Sequence, residues 1–200
     1  MKILIACEYS GIVRDAFIER GHDAISCDIL PTERPGKHYQ GYLEDFIGNG
    51  QEWDMIIAHP PCTYLSVSGY HWNYRRPERM KKTEQAIAFF MMIANRDCPK
   101  IAIENPVSIM STRWRKPDQI IQPYQFGHDA SKATCLWLKG LLPLKIDPLQ
   151  YVEPRYVNEK PRWSNQTDGG YNKLPPSETR GKERAKTYQG IADAMARCWG

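Results

Sequence analysis

Five short apolar runs recur along the chain, at 2–6, 24–27, 54–58, 100–103 and 134–138, and each is closed by turn or polar residues. Runs of that length with that punctuation predict buried strands. The stretches between them carry helical spacing instead. Residues 11–20 follow a Ser10 able to cap a helix and stop before Gly21. Residues 83–95 set Ala86, Phe89, Phe90 and Ile93 on one face, and 185–198 do the same with Tyr188, Ile191, Ala192 and Met195, with Trp199 just beyond. Strands alternating with helices predict an α/β fold, a mostly parallel sheet with helices on both faces.

The rhythm breaks at about 141–176, where six prolines fall and little periodicity survives. The expected organisation is a Rossmann-like core over 1–140, an irregular basic insertion over 141–176, and a C-terminal helix within 177–200 that completes the core. A chain of 200 residues suits a single core. No apolar stretch approaches the roughly 20 residues of a membrane span, and the N-terminus reads as a strand, not a signal peptide. A cytoplasmic protein without membrane contact is expected.

The six cysteines at 7, 27, 62, 98, 135 and 198 are scattered, with no Cys-x-x-Cys pair and no zinc-type spacing. Reduced thiols and no metal are expected. Four of them sit in apolar or strand-like contexts, where a cysteine is usually a small buried hydrophobe. Cys62 differs. It follows the apolar run 55–58 and two prolines, Pro60 and Pro61, at a predicted strand end, where open α/β sheets place ligands. Proline fixes φ and restricts its predecessor, so the loop presents Cys62 in a narrow geometry that suits a nucleophile. Glu104, followed by Asn105, ends the fourth predicted strand and points to the same edge; if buried, its pKa is expected to rise and let it donate a proton.

Two further turns are candidates for a cofactor. The first strand runs through Glu8, Tyr9 and Ser10 to Gly11 and a helix, the place where nucleotide-like ligands meet a helix N-terminus. Asp28 ends the second strand at a spacing that suits a ribose hydroxyl, though a solvated loop acid is an equal reading. Net charge is +4, and from Arg155 onward nine Lys and Arg face five Asp and Glu, which is the whole surplus. A second basic stretch, with Arg75, Arg76, Arg79, Lys81 and Lys82, follows the Cys62 loop. Both are interleaved with aromatics, a pattern that fits a polyanion with stackable bases or a solvated surface.

Taken together, Pro61-Cys62-Thr63-Tyr64-Leu65-Ser66-Val67-Ser68-Gly69 and Glu104-Asn105-Pro106 resemble the S-adenosylmethionine-dependent DNA cytosine-C5 methyltransferases, in a compact form like those of phages. The family's loop carries a glutamine where Thr63 stands. Phe126-Gly127 through Thr134, and Gly190 through Ala194, are similar in order to two further family motifs, with Lys132 and Thr134 in place of two arginines. The resemblance implies Cys62 as nucleophile, Glu104 as the group holding N3 of the base, and Lys132 as a positioning cation. It implies S-adenosylmethionine bound by Glu8, Tyr9, Ser10, Gly11, Asp28, Asp45 and Pro60, with Asp45 a shifted substitute for a family acid. Substrate contacts fall to Pro61, Ser66, Asn105, Arg75, Arg76 and Thr134. DNA is the implied partner, the chain is expected to act as a monomer, and the short 141–176 segment implies a short or relaxed sequence preference. Two other readings stay open: the same chemistry on a free pyrimidine nucleotide, and a DNA-binding module that kept the fold without the cofactor.

Overall fold

The computed structural model describes residues 1–48 and 50–200. Seven strands form one sheet: β1 (Lys2–Ala6), β2 (Asp23–Asp28), β3 (His38–Gln40), β4 (Met55–Ala58), β5 (Lys100–Pro106), β6 (Gln119–Ile121) and β7 (Thr134–Lys139). Their order is β3-β2-β1-β4-β5-β7-β6. β1 pairs parallel to both β2 and β4, and β4 parallel to β5, whereas β7 runs antiparallel to β5 and β6. That order with one reversed strand next to the edge is the Rossmann-like methyltransferase fold, as the alternation of apolar runs and helices predicts.

Both faces of the sheet are covered, which is why the runs are apolar at consecutive positions. Ile3, Ile5, Met55 and Ile57 point into one core with Phe17, Leu136, Met195 and Trp199. Leu4, Ala6, Ile56 and Ala58 point into the other with Phe90, Ile93, Ile103 and Trp137. The first core is closed by α1 (Ile12–Ile18) and α7 (Gln189–Trp199), the second by α2 (Leu43–Ile47) and α4 (Pro77–Ala94). Short helices α3 (Val67–Tyr70) and α5 (Met110–Arg113) follow the β4 and β5 ends.

Three boundaries differ from the sequence expectation. α4 begins six residues earlier than 83, because Pro77 occupies its first turn, where a missing N–H costs nothing. The C-terminal stretch is two helices: α6 (Arg180–Ala185) has no buried residue, and α7 starts only at Gln189 after the extended Tyr188. The 141–176 segment contains a hairpin of β8 (Arg155–Val157) and β9 (Lys160–Arg162). It is tied to the core by Trp163, stacked on Tyr124 with ring centroids 4.0 Å apart, and by Asn165, which bonds the Ser131 backbone in both directions.

Candidate functional site

The strand order reverses between β1 and β4, so the loops leaving their C-terminal ends diverge and open a crevice. The two loops there are Cys7–Gly11 and His59–Cys62, with Asp28 and Glu104 ending the flanking strands.

In the first loop Cys7 has φ 58 and Gly11 φ 75. A Cβ at Gly11 would lie 2.6 Å from the Arg14 guanidinium, so glycine is required there on both counts. The helix after it is capped by Glu8, not chiefly by Ser10. The buried Glu8 carboxylate accepts from the Val13 amide at 2.7 Å, the Arg14 amide at 3.3 Å and the Ser10 hydroxyl at 3.0 Å. Ser10 Oγ takes the Ile12 amide at 3.3 Å. A phosphate would ordinarily use those amides; here they are spent and a carboxylate stands in front of them. A pyrophosphate-bearing dinucleotide therefore does not suit this turn. The carboxylate in front of those amides suits a cationic ligand better than an anionic one.

Asp28 sits at the β2 end, half-buried, with its carboxylate accepting the Leu30 amide at 2.9 Å. Desolvation raises its pKa, opposed by that amide, His38 and His59. Asp45 is exposed on α2. Its neighbour Glu44 is the acid whose field reaches Cys7 and Cys27, a role that sequence order alone does not distinguish. Tyr9 is buried, and its hydroxyl donates to the Lys182 carbonyl of α6 at 2.7 Å. Lys186 reaches Glu33 at 3.0 Å, so the exposed α6 lies across the mouth of this loop.

In the second loop Pro60 is buried while Pro61 and Cys62 are exposed. Among the six cysteines, Cys62 alone is exposed. The loop is fastened from three sides. Asn105, buried at the β5 end, donates to the Pro60 carbonyl at 2.8 Å. Arg79 of α4 donates to the Thr63 carbonyl at 2.7 Å and lies 4.7 Å from the Tyr64 ring centroid. Leu65 and Val67 pair with the backbone of Ile109 and Val107, and Ser66 bridges to Ser108. In the chain Arg79 is marked only as surface charge; its tether to Thr63 depends on α4 folding back beside the loop.

Cys62, Glu104 and Lys132 act on one another electrostatically, as do Cys62 and Arg184. The protein packed around the sulfur, and next the Glu104 carboxylate, push the Cys62 thiol up; Lys132 and Arg184 only partly offset them. Glu104 departs from expectation in the opposite sense. Burial pushes its pKa up, but the His59 hydrogen bond, Lys132 and the His59 charge outweigh it, and the net shift is down. His59, which nothing in the chain singles out between the apolar run and Pro60, shares a proton with Glu104 Oε2 at 2.9 Å. A strand end carries no local signal for such a partner 45 residues away.

The remaining candidates have structural partners as well. Lys132 Nζ donates to the Arg184 carbonyl at 2.9 Å. Thr134 is buried at the start of β7 and donates to the Lys132 carbonyl at 3.1 Å, which shapes the turn holding that lysine. Ser66 Oγ is paired with Ser68 Oγ at 2.8 Å. Arg75 and Arg76 are exposed and flank the Trp72 ring at 5.6 and 5.3 Å. Among the described residues no cluster of His, Cys, Asp and Glu could hold a metal ion, and no helix is long and apolar enough to cross a membrane.

No family model matches the chain, and no curated protein matches it. Among solved structures, one similar chain is described as a "putative DNA modification methyltransferase" encoded within an E. coli prophage. Identity is 14%, the TM-score is 0.43, and the alignment covers 72% of this chain. The chain spans about half of that protein, 48% of its length. The fold assignment rests on the strand order itself.

Proposed function

We propose that the protein transfers a methyl group from S-adenosylmethionine to C5 of cytosine in DNA, through a covalent bond from Cys62 to C6 of the base. The observation that carries this reading is the singular placement of Cys62. It is the one exposed cysteine, on a loop fastened from three sides, with Glu104 and Lys132 within electrostatic reach.

C5 of cytosine is a poor nucleophile until a group adds at C6. The Cys62 thiolate forms the Sγ–C6 bond, and the displaced electron pair moves toward N3, where Glu104 meets it. C5 then carries enamine character and takes the methyl group as its bond to the donor sulfur breaks; solvent takes the C5 proton, and the electrons of that C–H bond expel Cys62 from C6 as the thiolate. The cofactor supplies an electrophilic methyl on a positively charged sulfur. Glu8 and Asp28 fit that charge and a ribose, and the capped amides of α1 fit the absence of phosphate. Burial and Glu104 push the Cys62 thiol up against the pull of Lys132 and Arg184, and a bound sulfonium would add to that pull.

A base inside a duplex is out of reach, so it must be flipped out or taken from a single strand. Arg75 and Arg76, beside the exposed Trp72, and the cations of α6 are suited to the backbone and to stacking. The small β8–β9 hairpin offers little surface for reading a long sequence, which favours a short or relaxed preference.

The test is a trap. DNA carrying 5-fluorocytosine, incubated with S-adenosylmethionine, should give a covalent adduct with the natural protein and none with Cys62→Ala. An adduct on 5-fluoro-dCMP but not on DNA would move the reading to the nucleotide. No adduct on either would refute it.

A further inference from the structure

The steps above give His59 no part, yet it is held at the centre of the site. It follows the end of β4, its amide donates to the Ala6 carbonyl of β1 at 2.9 Å, and its side chain is 7% exposed. Nδ1 lies 2.9 Å from Glu104 Oε2. Nε2 is buried and, among the described residues, has no hydrogen-bond partner. An ionised carboxylate only accepts, so Nδ1 must carry the proton between them. Nε2 is then either a bare acceptor or, in the imidazolium, a second donor, and in both states it lacks what burial demands.

Charged and titratable groups converge on this imidazole from several strands. Glu104 faces it from β5 and Asp28 feels it from β2; Lys132, Cys62 and Cys135 act on the same carboxylate.

We propose that His59 is a positioning residue whose imidazolium, paired with Glu104, stores the proton that N3 receives when Cys62 adds to the base. This rests on the reading of Glu104 as the group that meets N3. As the Sγ–C6 bond forms, Glu104 takes the Nδ1 proton of His59 and hands a proton to N3, so the pair passes from imidazolium–carboxylate to imidazole–carboxylate with Nε2 keeping its hydrogen. On elimination N3 returns it.

The test compares single-turnover rates against pH for the natural protein, His59→Asn and His59→Phe. Asparagine keeps an N–H near the Nδ1 position but does not titrate. It should leave KM within about threefold and lower kcat by about 10²-fold, within the span of general acid–base effects. The decline of rate on the alkaline side, present in the natural protein, should vanish. His59→Phe should lose more of both, and if it does not fold, the asparagine variant still decides. Natural kcat and an unchanged alkaline decline in His59→Asn, with adduct formation intact, overturn the role of His59 alone. Failure of the natural protein to form any 5-fluorocytosine adduct overturns the Cys62 reading and this one with it. The ¹⁵N shifts of the His59 ring in the ligand-free protein give a readout independent of activity: protons on both ring nitrogens are expected, and a neutral ring with a single proton refutes the store.

Discussion

Replacing Arg14 by methionine should unlatch the rim of the Cys7–Gly11 loop and destabilise the whole fold. Arg14 is 0% exposed, and its planar fork is fully used. Nε meets Asp15 at 2.8 Å, one terminal nitrogen bonds Ser26 Oγ at 3.3 Å and Thr32 Oγ1 at 3.2 Å, and the other takes the carbonyls of Arg34 and Pro35 at 3.1 and 3.0 Å. Gly11 and Gly36 leave the space in which the guanidinium lies. Methionine fills part of that space and bonds to none of these groups. Four neutral acceptors, each worth about 1 kcal/mol, come to about 4 kcal/mol, within the roughly 3–5 kcal/mol typical of breaking a buried ion pair. For a domain of this size that corresponds to a fall in Tm of about 8–16 °C. Arg14→Lys should recover little, because a single ammonium cannot serve five acceptors on two sides. Thermal and urea unfolding followed by circular dichroism measure the loss. A change under about 1 kcal/mol, with faster amide exchange confined to residues 29–37, would show that Arg14 holds only the loop and would refute the argument.

Asn105→Ala should cost about 1–3 kcal/mol of stability by leaving the Pro60 carbonyl unbonded, and adduct formation should fall further than unfolding explains; an unchanged trapping rate would separate Asn105 from loop placement. His128 Nε2 accepts the Gly190 amide at 2.9 Å, and desolvation lowers its pKa, with Asp193 in part opposing. The unfolded chain then binds the proton more readily, so this contribution is present in full above about pH 6.5 and is lost as pH falls through the depressed folded value; His128→Gln should flatten that part of the stability–pH curve. Removing Arg75 or Arg76 should weaken DNA binding and reduce the slope of log affinity against log salt by roughly one each, a titration that would expose them as bystanders if the slope stayed put.

Much of the fold is legible in the chain because its signals are local. Five of the seven sheet strands are continuous apolar runs, and their buried alternation, Ile3 and Ile5 to one core, Leu4 and Ala6 to the other, requires only a sheet covered on both faces. The strands His38–Gln40 and Gln119–Ile121 lie at the two edges, are three residues long, and carry too little apolar content to register. Pro60-Pro61-Cys62 and Glu104-Asn105 announce themselves through residue type at strand ends, so a candidate nucleophile and a candidate carboxylate stand out from the chain alone.

What such positions do to one another is another matter. The sequence by itself determined the α/β architecture, the helix faces of α4 and α7, and a cysteine delivered to a sheet edge, because each depends on neighbours a few residues away. Only the tertiary structure decided that Glu8 caps α1, that the field of Glu44 reaches Cys7 and Cys27, that Arg79 and Asn105 fasten the Cys62 loop, and that His59 and Lys132 hold the Glu104 carboxyl below its usual range. Those are contacts across strands and between loops, set by strand order and register. The pKa of a buried carboxylate follows the groups that the fold brings to it, and here the His59 hydrogen bond, together with Lys132 and the His59 charge, outweighed the rise that burial alone would impose.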